Sequence, residues 1–161
     1  MPILKELKRV LDEAKVPYEI FNHPLAYTAQ EVAARQHFPG SEMAKVVMLE
    51  ADDRLVMGVI SGNRKVSLDV ARVSLGASKL RLASEEEFIG RFAGCEIGAM
   101  PPFGNLFGLK VYVDPELERD EHIYFNAGTH VHTVRMRYKD FAALVKPEVV
   151  PLVEEPKKKA A

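Results

Sequence analysis

The stretch Met43-Ala44-Lys45-Val46-Val47-Met48-Leu49-Glu50-Ala51-Asp52-Asp53-Arg54-Leu55-Val56-Met57-Gly58-Val59-Ile60-Ser61 decides how this chain folds. Two runs of apolar, β-forming residues flank a short polar one. They read as strands at about 43–51 and 55–61, joined through Ala51-Asp52-Asp53-Arg54 as an antiparallel hairpin. One residue does not fit. Lys45 places a charge inside the first strand, which costs free energy unless the ammonium finds a partner or reaches water. Two readings stand side by side. The long stem can carry the charge to the surface from an edge strand, or Lys45 can line the wall of a ligand pocket.

Upstream of the hairpin, Leu4, Leu7, Val10, Leu11 and Ala14 fall on one face of a helix over 3–15. Pro17 ends it and 17–22 reads as a strand. Thr28 followed by Glu31 is a capping box for a helix over 29–36, stopped by Phe38-Pro39-Gly40. Downstream, Ser67–Leu75 reads as a helix with Gly76 as its C-terminal cap. A short strand at 79–82 follows, then a second capping box, Ser84 with Glu87, opening a helix over 85–92. The stretch 94–108 holds Gly94, Gly98, Gly104, Gly108, Pro101 and Pro102, so it reads as a long shaped loop with no regular element. Strands at 109–113, 122–125 and 131–136 come next, the last two around Asn126-Ala127-Gly128-Thr129, and then a helix over 138–145. Residues 1–147 form a single domain in this reading. Residues 148–161, with Pro151, Pro156 and Lys157-Lys158-Lys159, are a C-terminal tail disordered at its end. Intermixed helices and strands with tight turns predict an α/β chain of α+β type. Its sheet is mixed, largely antiparallel and barrel-like, with helices around it.

Composition narrows the function classes. The chain has 161 residues, 47% of them hydrophobic, enough for one domain with a real core. A net charge of -1 gives no global basic field, so a nucleic-acid partner must be held by local patches such as Arg64-Lys65 and Lys79/Arg81. Binding of that kind is weak and salt-sensitive. Cys95 is the single cysteine, which excludes an internal disulfide and a cysteine-based zinc cluster and fits a reducing cytoplasm. No run of the sequence is long and apolar enough to span a membrane.

Few residues carry chemistry on pattern alone. In Gly94-Cys95-Glu96-Ile97-Gly98-Ala99-Met100-Pro101-Pro102-Phe103-Gly104-Asn105 the prolines stiffen the backbone. The N–H groups of Gly98, Ala99 and Met100 can then form a fixed array for an oxyanion or a phosphate. A purely structural connection explains the composition equally well. His130 and His132 alternate and line or decorate one sheet face; a third metal ligand is not evident. Cys95 reads as a small apolar filler rather than a nucleophile. His23 marks a strand boundary, and Glu85-Glu86-Glu87 are ordinary helix N-terminal acids.

The order of these pieces is informative. His23, Thr28-Ala29-x-Glu31-Val32-Ala33, Lys45, Leu68-Asp69, Glu86-Glu87, Gly94-x-x-x-Gly98-x-x-Pro101-Pro102-Phe103-Gly104, Asp114 and Ala127-Gly128-Thr129 follow one another over residues 15–145. In this the chain resembles the YbaK/ProX family of aminoacyl-tRNA deacylases, related to the editing domain inserted in bacterial prolyl-tRNA synthetases. The resemblance implies hydrolysis of the ester between a wrong amino acid and the terminal ribose of tRNA, in trans, for translation fidelity. It implies Lys45, Gly98 and Ala99 as the catalytic group. His23, Tyr27, Thr28, Met100, Pro101, Gly128, Thr129 and His130 would form the substrate-binding wall. An aminoacyl ester is already activated, so no metal, cofactor or covalent nucleophile is required. The implied partners are the tRNA acceptor end and an aminoacyl-tRNA synthetase.

The chain also departs from the family. Alanine-clearing members carry asparagine after the lysine, and cysteine-clearing members usually a small hydroxyl residue, where this chain has Val46. Many members have Ser or Thr before a single proline, where this chain has Ala99-Met100-Pro101-Pro102. Amino-acid specificity therefore does not transfer. Two other classes of function use the same residues: a non-catalytic module that holds a tRNA acceptor end or a small nucleotide, and a protein that docks on a synthetase.

Overall fold

The computed structural model describes residues 4–22, 42–92, 94–96 and 98–154. The central hairpin forms as the sequence predicts. Strand β2 (Ala44–Ala51) pairs antiparallel with β3 (Arg54–Ser61), Lys45 opposite Ile60 and Ala51 opposite Arg54. The two-residue turn needs left-handed backbone at both positions, and Asp52 (φ 47°) and Asp53 (φ 68°) supply it. The Asp52 carboxylate accepts the N–H groups of Ser78 and Lys79, which hold its carboxyl below the usual value and tie the turn to the next connection.

Helix α1 (Lys5–Ala14) buries Leu7 and Leu11 and turns its Lys8–Asp12 and Arg9–Glu13 pairs to water. It ends at Lys15 in the left-handed conformation and feeds β1 (Tyr18–Asn22). After β3, α2 (Leu68–Leu75) starts at Ser67, whose hydroxyl accepts the Val70 N–H, and stops at Gly76. Then come β4 (Leu80–Leu82), α3 (Glu85–Phe88), β5 (Val111–Val113), α4 (Pro115–Glu118), β6 (His122–Asn126), β7 (His132–Arg137), α5 (Tyr138–Val145) and β8 (Glu148–Val149).

Among the described residues the strands make two sheets. One is antiparallel, in the order β1-β7-β6, and the other is mixed, in the order β4-β2-β3-β5-β8. They meet at a parallel bridge between Met43 and Tyr124, without closing a barrel. The larger sheet is buried on both faces. Ala44, Val46 and Met48 point into the main core with Met57, Val59, Phe103, Phe125, Val134 and Phe141. Val47 and Leu49 point to the other face, where Val56, Ile60 and Tyr112 pack with Ala71 of α2 and with Leu152 and Val153. Residues opposite in register share a face, so Lys45 lies on the Ile60 side.

Several expectations need correction. The helix over 85–92 shortens to 85–88 and continues as a 3-10 turn at Ile89–Arg91, where Gly90 weakens helical backbone. The loop over 94–108 contains a 3-10 turn at Gly104–Phe107. Helix α4 was not expected, although Asp114 as N-cap and Pro115 in the first turn are its ordinary start signals. The boundary at 147 moves: β8 adds in parallel to β5, and Leu152 is fully buried, so 148–154 pack as part of the domain. The expected helix over 29–36 lies outside the described residues.

Candidate functional site

The glycine-proline loop and the turn after β6 are built as one unit. Both backbone groups of Gly128 bond to the loop: its N–H donates to the Ala99 carbonyl at 2.9 Å, and its carbonyl accepts the Glu96 N–H at 2.8 Å. The Glu96 carboxylate accepts the His130 N–H at 3.1 Å. Gly98 (φ 83°) and Gly128 (φ 99°) both lie where L side chains rarely go. A Cβ on Gly98 would stand 3.4 Å from Cε1 of His130, and one on Gly128 would stand 3.2 Å from Leu4 Cβ. The Leu4 N–H donates to the Ala127 carbonyl, so the start of α1 braces the turn from behind.

Within the loop, Gly98 is exposed while Ala99, Met100, Pro101 and Pro102 are buried. The three-donor array needs revision. The Ala99 N–H donates to the Glu96 carbonyl at 3.0 Å, closing a tight turn. Among the described residues the N–H groups of Gly98 and Met100 remain as the donors the loop can offer to a ligand. Met100 packs into the main core. The Thr129 hydroxyl is held by His132 Nδ1 at 2.7 Å and accepts the Val131 N–H. His130 is buried in the turn and His132 opens β7, so the two histidines do not alternate along one strand.

Lys45 lies two residues past Met43, whose bridge to Tyr124 joins the two sheets, and Tyr124 lies four residues before Gly128. The Lys45 ammonium donates to the Arg64 carbonyl at 3.3 Å, and among the described residues it forms no ion pair. A neutral acceptor steadies the ammonium without neutralising it, so its charge stays available to a ligand. His23, Tyr27 and Thr28 lie outside the described residues.

Two residues at the site had no signal in the sequence. Glu96 staples loop to turn through its N–H and carboxylate, while its carbonyl closes the turn within the loop. Asn126 has a buried Oδ1 without a hydrogen-bond partner among the described residues, an open acceptor beside the turn. Cys95 is half-buried and burial pushes its thiol up to about 11, which keeps it from acting as a thiolate near neutral pH. Of the expected phosphate-binding cations, Arg64 pairs with Glu116 and Arg81 grips Glu87 through two 2.6 Å bonds. Lys65 and Lys79 are exposed. Among the described residues no group of three His, Cys, Asp or Glu side chains could hold a metal ion.

The chain is similar to several known proteins. The family model of the aminoacyl-tRNA editing domain matches residues 23–144. The multifunctional Ser/Thr-tRNA deacylase ProXp-y of Escherichia coli (strain K12) is 32% identical over 96 residues, 59% of this chain and 57% of that protein. The proline–tRNA ligase of Shouchella clausii (strain KSM-K16) is 32% identical over 114 residues, 70% of this chain and 20% of the ligase. The matches thus span little more than half of one relative and a fifth of the other. A crystal structure of a candidate trans-editing enzyme for prolyl-tRNA synthetase superposes with a TM-score of 0.80 over 94% of this chain and 96% of that one, at 23% identity, and so shares the fold. The family match covers Lys45, the glycine-proline loop and the Gly128 turn together, and the chain belongs to the aminoacyl-tRNA editing domain family.

Proposed function

We propose that this protein is a trans-acting, metal-independent hydrolase that clears a wrong amino acid from tRNA in the cytoplasm. The observation that carries the reading is the stapling of the loop to the Gly128 turn, together with a Lys45 ammonium that among the described residues is held only by a neutral carbonyl. Water adds its oxygen to the ester carbonyl carbon. The carbonyl oxygen gains negative charge and takes hydrogen bonds from the Gly98 and Met100 N–H groups. The bond to the ribose oxygen then breaks, that oxygen takes a proton, and the free amino acid and the tRNA leave. Lys45 anchors the terminal ribose or phosphate, or stabilises charge at the reacting centre. A ribose hydroxyl of the substrate helps place the water.

Single-turnover hydrolysis across a panel of misacylated tRNAs tests this. At least one ester should be cleared well above its spontaneous rate. Binding without turnover across the whole panel would instead make the chain a binding module. Dialysis against a strong chelator should leave the rate unchanged; a loss restored by zinc would overturn metal independence.

The same panel tests the pocket wall. Met100→Ala is expected to raise activity toward larger amino acids relative to smaller ones. An apolar pocket distinguishes one methylene by only about 1–3 kcal/mol, so the preference shifts rather than inverts completely. Because Met100 is a core residue, its truncation also costs about 2–5 kcal/mol of stability, and rates are best compared as ratios well below the melting temperature. Unchanged ratios in Met100→Ala and in Thr129→Val would remove both residues from selectivity.

A further inference from the structure

The loop that receives the Lys45 ammonium is clasped by the C-terminal segment. Residues 62–67 run from β3 to α2. The Ser67 N–H donates to the Leu152 carbonyl at 2.8 Å. The Arg64 guanidinium lies between the Glu116 carboxylate, at 2.9 Å, and the backbone carbonyl of Glu154. The segment is itself anchored, because the buried Asp114 carboxylate accepts the N–H groups of Leu152 and Val153 at 2.8 and 3.2 Å. We propose that Arg64, held by Glu116 and residues 152–154, is a positioning residue that fixes its own carbonyl as the rest for the Lys45 ammonium.

The proposal rests on the catalytic reading of Lys45. A lysine stem has four rotatable bonds, and a single neutral acceptor does not by itself select one position for the charge. That acceptor is useful only if it stays still. Arg64 helps to hold it, since its own N–H donates to the Ser61 carbonyl at 3.0 Å and its guanidinium is tied on two sides, by a carboxylate and a carbonyl. The same bonds remove Arg64 from the cations open to phosphate. Where Lys45 stabilises charge at the reacting centre, the effect of Arg64 is therefore on the chemical step and not on tRNA affinity.

The test compares Arg64→Ala, Arg64→Lys and Glu116→Gln in the full chain, by single-turnover hydrolysis over a range of tRNA concentrations. The saturating rate constant should fall about tenfold or more in Arg64→Ala and several-fold in Glu116→Gln. The half-saturating concentration should stay within about twofold, and Arg64→Lys should recover part of the rate. Glu116→Gln retains the Arg64 cation and is nearly isosteric, so it reports even if Arg64→Ala folds poorly. A rise in half-saturating concentration with an unchanged rate constant would make Arg64 a phosphate contact and overturn the proposal. An unchanged rate constant in folded Arg64→Ala and Glu116→Gln would do the same. Lys45→Ala run in parallel separates the two levels: if it keeps full activity, the reading of Lys45 fails and the clasp with it. If it is inactive while the Arg64 and Glu116 variants are unaffected, only the clasp fails.

Discussion

Lys45→Ala is expected to lower single-turnover deacylation by at least about a hundredfold, the scale seen when one preorganised charge-stabilising donor is removed. The fold should survive. Lys45 is half-buried, forms no ion pair among the described residues, and makes one hydrogen bond to a backbone carbonyl. Losing such a bond costs roughly 0.5–1.5 kcal/mol, small beside the 5–15 kcal/mol typical of a domain. Removing a charge from a partly apolar face offsets some of that cost. Lys45→Met keeps the stem and should be as inactive as the alanine variant, which isolates the ammonium from the packing. Lys45→Arg should not restore full activity, because a planar fork does not reach the same point as a compact ammonium. Melting curves and single-turnover rate constants on one misacylated tRNA check all three. Full activity in Lys45→Ala would remove this residue from the mechanism and leave the loop donors to act alone.

How much of this was readable in advance follows from the range of the forces involved. The hairpin was legible because its register, turn and facing residues are set within nineteen residues, 43–61, by alternation and two turn aspartates. Helix α2 was legible because Ser67 and Gly76 cap it locally. The order of the weak motifs was enough to place the chain in its family. Contacts between distant segments were not legible. Nothing around Lys45 says that its acceptor is the carbonyl of Arg64, nineteen residues on, and nothing in Gly94–Asn105 says that Glu96 reaches the His130 N–H. The loop donors were misjudged for a related reason: glycine and proline content shows that a backbone is shaped, but not that the Ala99 N–H turns back to Glu96. The packing of residues 148–154 was the least legible. Prolines and lysines near the end read as a tail, while the group that holds 152–153 in place is a carboxylate far upstream.

That carboxylate sets the second large expectation. Asp114→Ala should destabilise the protein by about 3–5 kcal/mol. Asp114 Oδ1 caps α4 through the Glu116 N–H at 3.0 Å, and its other oxygen takes the N–H groups of Leu152 and Val153. Hydrogen bonds to a charged acceptor contribute about 1.5–3 kcal/mol each, and a lost N-cap costs about 1 kcal/mol. Alanine removes all three acceptor contacts at a site only 4% exposed, where water cannot replace them without opening the structure. For a chain of this size each kcal/mol moves the melting temperature by roughly 2–4 °C, so a fall on the order of 10 °C is expected. Asp114→Asn, with one acceptor oxygen and no charge, should lie between wild type and alanine. Faster amide exchange at Leu152 and Val153 in Asp114→Asn would show that the segment, rather than the whole domain, is what loosens. Because the Leu152 carbonyl holds Ser67 and the Glu154 carbonyl holds Arg64, that loosening should also slow hydrolysis at temperatures where the variant remains folded. If Asp114→Ala melts within about 2 °C of wild type, the buried carboxylate is not the anchor, and residues 152–154 are held by the packing of Leu152 and Val153 alone.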